Sequence, residues 1–164
     1  MSVRLAKTEG RALERVTKAL AALDQIGVAV GSQGEGGGPS PQHRDRRGRF
    51  GETCATILRR HEFGLGVPER SVFRAYLAAH ARELTQAAAK ATRAVARGEI
   101  LPDAVAEQVG EHAVAGLRER ILERIPPPLA ESTLADPRRD QAGIPLSDTG
   151  QLIASIRWAR TVDT

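Results

Sequence analysis

The chain has 164 residues, with 24 basic and 20 acidic side chains and a net charge of +4. This length suits a single domain spanning 1–164, built around one hydrophobic core. A single cysteine, Cys54, excludes an internal disulfide and a cysteine-rich metal site. The N-terminus lacks an apolar run followed by a cleavage site, and no stretch approaches the length of a membrane span. We therefore expect a protein that is made and used in a reducing cytoplasm, without membrane contact.

The N-terminal part predicts a helix followed by a strand. Residues 8–24 carry apolar side chains at intervals of three and four, which places them on one face of a helix. Gly27 is the expected stop signal of this helix. Residues 26–30 form a short apolar run with β-branched members, which is typical of a strand.

Residues 31–51 break this pattern, because glycine, proline and charge leave almost nothing to bury. Ordering such a segment costs backbone entropy without return. We therefore predict a flexible, Gly/Arg-rich arm inserted in the domain. Its basic cluster consists of Arg44, Arg46, Arg47 and Arg49. These side chains either hold DNA phosphates or an acidic partner electrostatically, or form a solvated loop.

The rest of the chain predicts three helices and one further strand. The helices are residues 52–62, 71–97 and 103–124, and residues 155–162 alternate as a strand. Two long helices joined by a few residues pack as an antiparallel hairpin. The predicted fold class is α+β, with this helical hairpin and the N-terminal helix packed on a small antiparallel β-sheet.

The triplet Asp148-Thr149-Gly150 is the strongest hint of catalysis. In aspartic proteases, two such aspartates share a proton and activate water. This chain has one copy, so catalysis requires a dimer, and those enzymes are nearly all strand whereas this chain is mostly helical. The alternative is structural. Asp148 caps a short final helix, Gly150 allows a tight entry, and Leu152, Ile153 and Ile156 face the core.

The sequence predicts neither a metal nor a cofactor. His61 and Glu62 begin like a zinc-protease helix, but Leu65 stands where the second histidine is needed. The four histidines have no ligand spacing with one another, and His80 lies on an apolar helical stripe, as a hydrogen-bonded core histidine does. The glycines of residues 34–38 lack the Gly-Lys-Ser/Thr ending of a phosphate-binding loop. We therefore expect no enzymatic activity.

Three separate blocks share a pattern. The first is ILRRHEFGLGVPERSVFRAY at residues 57–76, an aliphatic helix that ends in Glu-Phe-Gly and turns into a long helix. The second is PPLAEST at residues 127–133, and the third is PLSDTGQLIASIRW at residues 145–158. The residues that carry the pattern are Glu62, Phe63, Gly64, Pro68, Arg70, Phe73, Pro127, Leu129, Ser132, Thr133, Pro145, Leu146, Asp148, Thr149, Gly150, Leu152, Ser155 and Ile156.

In order and spacing, these blocks resemble the phage virion-morphogenesis, or tail-completion, family of small neck and minor tail proteins. The resemblance covers residues 57–164, and the arm at residues 31–51 departs from it. It implies a structural virion protein, present in the host cytoplasm during assembly, that acts in tail completion or head–tail joining. The implied partners are further copies in a ring, with a hexamer favoured, the connector, the tail terminator or tail tube proteins, and DNA in the lumen.

Two other functions are compatible with the residues. A DNA-binding accessory protein would use the basic arm, and salt-sensitive DNA binding would favour it. A dimeric aspartic protease would use Asp148, and pepstatin-sensitive peptide cleavage would favour that function.

Overall fold

The computed structural model describes residues 2–34, 38–45, 47–135 and 143–162. In this part, the chain forms six helices and four strands. The helices are α1 (Ser2–Leu23), α2 (Cys54–Phe63), α3 (Phe73–Ala96), α4 (Pro102–Leu122), α5 (Glu131–Leu134) and α6 (Gln151–Ser155); the strands are β1 (Ile26–Ser32), β2 (Gln42–Arg44), β3 (Phe50–Thr53) and β4 (Ile156–Val162). The predicted α+β class is confirmed. None of the described helices is long and apolar enough to cross a membrane.

The main sheet has two antiparallel strands, β1 and β4, with Ala29 opposite Ala159 and Val30 opposite Trp158. Both predicted strands are therefore confirmed. Helix α4 packs against this sheet. The indole of Trp158 lies on Gly110 of α4, where an added methyl group would meet the ring at 2.5 Å. A glycine at this position therefore lets the helix approach the sheet closely.

Helices α3 and α4 form the predicted antiparallel hairpin, joined by residues 97–101. Gly98 follows the last turn of α3 with a left-handed φ of +74°, a conformation that glycine adopts without steric cost at helix ends. Buried Tyr76 of α3 packs on α4, because Gly116 has no side chain in the space that the phenol ring fills. Helix α1 packs along both helices of the hairpin.

The core lies between α2, the helical hairpin, α6 and the main sheet. Its fully buried side chains are Cys54, Val72, Leu117, Ile121 and Ile156. These are small or aliphatic residues, as the low aromatic content of the chain requires. The core is thus shared by segments from the middle and the end of the chain, which holds them in one domain.

His80 is hydrogen-bonded but does not belong to the core, so the prediction of a core histidine is wrong. Its ring stacks on Tyr76 with centroids 4.5 Å apart, and its Nδ1 lies 3.0 Å from Glu83. The side chain is nevertheless 43% exposed. Glu83 also pairs with His112 of α4 at 3.0 Å. The three polar groups therefore lie along the solvated rim of the hairpin.

Two features of the N-terminal half differ from expectation. Helix α1 ends at Leu23, and Gly27 lies within β1 rather than stopping the helix. The side chain of Thr161, across the sheet, occupies the space that a side chain at Gly27 would need. The predicted arm contains a second antiparallel sheet, the β2–β3 hairpin, with Arg44 opposite Phe50. Hydrogen bonds rather than burial hold this hairpin, so its strands show no apolar alternation in the sequence. The flexibility of the arm stays a prediction.

Candidate functional site

Glu62 of α2 caps the N-terminus of α3. Its side chain is only 7% exposed. Oε2 accepts the backbone N–H groups of Val72 at 2.7 Å and Phe73 at 3.0 Å, while Oε1 accepts the N–H of Arg74 at 2.9 Å and the hydroxyl of Ser71 at 2.7 Å. The first N–H groups of a helix have no partner within it, and the positive end of the dipole favours a carboxylate. Glu62 therefore supplies a cap from a neighbouring helix and fixes the corner between α2 and α3.

The same contacts set the charge of Glu62. Burial alone raises the pKa of this carboxyl. Hydrogen bonds from the N–H of Arg74, the hydroxyl of Ser71 and the N–H groups of Phe73 and Val72 outweigh that effect. The pKa of Glu62 is therefore held below its ordinary value of 4.5. The guanidinium of Arg74 lies 3.2 Å from Oε1 and also covers the exposed ring of Phe63 at 5.0 Å. Glu62 is thus an ionised structural group.

A short turn returns the chain from α2 to α3. Gly64 ends α2 with a left-handed φ of +65°, as its place after the predicted helix indicates. The N–H of Arg70 donates to the carbonyl of His61 at 2.7 Å, and Nδ1 of His61 lies 3.2 Å from the carbonyl of Pro68. The turn of the first block is therefore hydrogen-bonded to the end of α2.

Buried Arg70 joins this turn to the proline-rich segment after α4. Its Nε and Nη2 donate to the carbonyl of Pro127 at 3.1 and 2.7 Å, and Nη2 also reaches the carbonyl of Pro128 at 3.4 Å. Prolines have no N–H and form no regular ladder, so their carbonyls need partners from elsewhere. The planar fork of a guanidinium provides several donors at once. The first and second sequence blocks are therefore in direct contact.

The third block reaches the same place. A cleft of about 220 Å³ is lined by Arg70 from the first block, Leu129 from the second, and Pro145, Leu146 and Leu152 from the third. Pro145 and Leu152 are buried. All three blocks thus converge beside the guanidinium of Arg70, although the sequence separates them widely.

The remaining motif residues lie around this centre. Ser132 and Thr133 are in the short helix α5 and do not line the cleft. Phe73 packs partly buried against the core. Ile156 is fully buried, as predicted, and the buried hydroxyl of Ser155 donates to a carbonyl of its own helix at 2.7 Å. The pattern therefore combines core residues, hydrogen-bonded corners and surface positions.

Asp148 is not the N-cap residue of α6, so that prediction is wrong. The helix begins at Gln151, and its N-cap is Gly150 with a left-handed φ of +68°. Asp148 stands two residues before that position, in the turn closed by the N–H of Gly150 and the carbonyl of Ser147 at 3.1 Å. The N-cap position that the sequence assigns to Asp148 is thus held by Gly150. The tight entry at Gly150 is confirmed, and Asp148 lines the cleft beside Arg70.

The β2–β3 hairpin is docked on this turn through Gln151. The side-chain amide of Gln151 accepts the N–H of Arg44 at 2.9 Å and donates to the carbonyl of Arg44 at 2.9 Å. It thereby pairs with β2 as a neighbouring strand would. The same amide donates to the hydroxyl of Thr149 at 2.8 Å, and Nε2 of His43 lies 3.2 Å from that hydroxyl. The Asp-Thr-Gly turn therefore holds the predicted arm.

A second anchor fixes the base of the hairpin. The hydroxyl of Ser32 contacts those of Ser40 at 2.7 Å and Ser155 at 2.9 Å, and Ser40 accepts the N–H of Ala55 at 2.9 Å. Next to Ser155, Cys54 is fully buried, and burial raises the pKa of its thiol despite the opposing hydrogen bond with Ser155. The thiol is thus a small core group.

Three of the four arginines of the basic cluster lie in the described hairpin, and Arg46 falls outside the described residues. Arg49 is paired with Asp45, whose Oδ2 accepts its Nε–H at 2.8 Å. Asp45 also accepts the N–H groups of Arg47 at 2.8 Å and Arg49 at 3.0 Å. Arg44 and Arg47 are exposed. Asp45 therefore bonds three groups at the tip of the hairpin, which presents at least two arginines to solvent.

Within the described ranges, no group of three or more His, Cys, Asp or Glu side chains is placed to hold a metal ion. The sequence gives no signal for the roles of Gln151 and Ser40, because their partners lie 107 and 15 residues away. Only the three-dimensional arrangement brings these side chains to the site.

No protein-family model, curated protein or solved structure matches this chain. The resemblance to the tail-completion family therefore stays a prediction from the three sequence blocks.

Proposed function

We propose that this protein is a structural component of the phage neck or the head-proximal end of the tail, acting in tail completion or head–tail joining. The observation that supports the proposal is the contact of buried Arg70 with the carbonyls of Pro127 and Pro128. It links two of the blocks that resemble the family, and the third block closes the cleft beside the same guanidinium. The residues of the resemblance therefore behave as one structural unit.

The chemistry of these residues favours assembly over turnover. The carboxylate of Glu62 is occupied by the N-terminus of α3. Nε and Nη2 of Arg70 are used on backbone carbonyls, and the hydroxyl of Thr149 is bonded by Gln151. Groups with these internal partners hold the fold and have little capacity left to act on a substrate. What such a chain offers to other molecules is the shape and charge of its surface.

That surface carries apolar residues suited to contacts between subunits. On the described part, the exposed large hydrophobic residues are Leu13, Leu20, Phe50, Phe63, Leu65, Leu77, Leu101, Leu122 and Leu134. Leu13 of α1 is 69% exposed and Leu101, before α4, is 76% exposed. Apolar residues buried at the centre of an interface contribute most of its stability.

In the proposed role, identical subunits form a closed ring through heterologous contacts, with six copies favoured by the symmetry of a tail. The ring binds the connector on one side and the tail terminator or tail tube on the other. No covalent bond is made or broken during this step. Its specificity comes from complementary surfaces.

Electron microscopy of a lysate tests the proposal. Deletion of the gene from the phage or prophage that carries it should leave DNA-filled heads and formed tails that do not join, or tails with defective ends. Adding the purified protein to that lysate should restore infectious particles. Empty, unpackaged heads as the main product, or no rescue by a protein that is folded and soluble, would refute the proposal.

A surface scan tests the assembly mechanism separately. Each exposed leucine is replaced by aspartate, and each variant is assayed for thermal unfolding and for rescue of the lysate. At least one variant should keep the wild-type melting temperature and lose rescue, because a charge at an interface core is costly. Arg93→Gln, an exposed change on α3, serves as a control. Full rescue by every well-folded leucine variant would exclude contacts through these residues.

A further inference from the structure

The β2–β3 hairpin carries the densest cluster of arginines in the chain. Between residues 42 and 53, the sequence has four arginines and two acidic residues. Both acidic side chains are engaged locally. Asp45 pairs with Arg49, and Glu52 pairs with Arg60 of α2 at 2.9 Å. Neither of them neutralises Arg44 or Arg47 in the described part of the chain.

Arg44 is held in a defined orientation by an aromatic ring. Its guanidinium lies 4.1 Å from the centroid of the Phe50 ring, directly across the hairpin. Phe50 is 60% exposed. A guanidinium that stacks on a ring keeps the N–H groups at its edge available for acceptors such as phosphate oxygens. The exposed ring adds a surface of the kind on which bases stack.

The backbone that carries these side chains is fixed at two points. Gln151 bonds both backbone groups of Arg44, and Ser40 is bonded to the N-terminus of α2. At the tip, Asp45 accepts two N–H groups and sets the turn that presents Arg47. A binding element fixed in this way loses less conformational freedom on binding than a mobile tail does.

We infer that the β2–β3 hairpin binds the phosphate backbone of double-stranded DNA, without sequence preference, through Arg44 and Arg47. Arg44 and Arg47 neutralise phosphates, and each releases counterions from the duplex. This inference rests on the proposed function only for the source of the duplex, which is the DNA that passes through the neck or tail lumen. The chemistry of binding is a property of the hairpin itself.

Salt-dependent binding to a short, fluorescently labelled DNA duplex tests the inference on the full chain. The variant is Arg44→Gln with Arg47→Gln. The matched control is Arg82→Gln with Arg93→Gln, which removes the same charge from exposed positions on α3. In the hairpin variant, the slope of log affinity against log salt should be shallower than in the wild type by about 1.8, because each of the two lost phosphate contacts contributes about 0.9. The control should keep the wild-type slope, and both variants should keep the wild-type melting temperature.

The outcomes separate the alternatives. An equal loss of slope in both double variants would show a general effect of net charge and overturn the inference. No measurable DNA binding by the wild-type chain at low salt would also overturn it. If an oligoglutamate peptide at the same charge concentration displaces the duplex, the hairpin is a receptor for acidic protein segments instead. DNA binding by the purified chain and rescue of a lysate are independent measurements, so either proposal can fail without the other.

Discussion

The cap that Glu62 places on α3 leads to a sharp prediction about stability. The carboxylate accepts four hydrogen bonds from Ser71, Val72, Phe73 and Arg74 at 2.7 to 3.0 Å, and the N–H of Val72 is buried. Hydrogen bonds to charged groups contribute about 1.5–3 kcal/mol each, but water can replace part of them at the exposed side. Loss of an N-cap costs about 0.5–2 kcal/mol. The cap is therefore worth more than a typical surface interaction.

Glu62→Gln keeps one acceptor oxygen and turns the other into a donor that faces N–H groups. We expect it to lower the free energy of unfolding by about 2–3 kcal/mol at pH 7, from the loss of one or two charged hydrogen bonds. In a domain of this size, about 2–4 °C of melting temperature is lost per kcal/mol. Urea unfolding and differential scanning calorimetry measure both quantities. Glu69→Gln is the control, since that exposed carboxylate also pairs with Arg74 at 2.7 Å, and a surface pair contributes about 0–1 kcal/mol.

The pH dependence of the same variant gives an independent check. Because the pKa of Glu62 in the folded state is lowered from 4.5, its ionised form stabilises the fold fully above the pKa of the unfolded chain. That contribution decreases as the pH falls through the folded pKa. The difference in unfolding free energy between wild type and Glu62→Gln should thus be constant from pH 7 to pH 5, and shrink below about pH 4.5. A variant within experimental error of wild type at pH 7, or a difference that does not change down to pH 3, would refute the capping argument.

Two further predictions concern packing and docking. Gly110→Ala should lower the free energy of unfolding by about 1–3 kcal/mol, because the new methyl group meets the ring of Trp158. Gly31→Ala is the control, since no atom lies within 4 Å of its new Cβ, and it should differ little from wild type in thermal unfolding. Equal losses of stability in both variants would contradict this packing argument. Gln151→Ala should speed tryptic cleavage at Arg44 and its neighbours while leaving the global melting temperature nearly unchanged, since the amide that holds β2 is lost; an unchanged cleavage rate would show that the amide does not hold the hairpin.

The sequence predicted the elements whose cause is local. Apolar periodicity marks α3 and α4, and alternation marks β4, because each of these elements buries one face against the same core. Gly64 ends its helix as the first block indicates, and Gly98 ends α3 in the same way, since a left-handed residue after a helix favours glycine at that very position. These signals need no knowledge of distant parts of the chain.

The errors have the opposite cause. The N-cap of α3 is Val72, and the group that satisfies its N–H bonds is Glu62, ten residues before it and in another helix. The β2–β3 hairpin buries little and depends on Gln151, whose partner Arg44 lies 107 residues away. Asp148 is a residue type that often caps helices, but it lies two residues before the N-cap of α6. Contacts between distant segments are set by the tertiary fold, so local patterns cannot indicate them.

The segment that departs from the predicted family pattern is joined to one of the three blocks that carry the resemblance. Residues 31–51 carry the departure, yet Gln151 and Thr149 of the third block dock its hairpin on the core. The amide of Gln151 bonds both backbone groups of Arg44, so the same contact places Arg44 beside the third block in each copy. In the proposed ring, identical subunits would therefore repeat the exposed arginines at regular intervals around one axis.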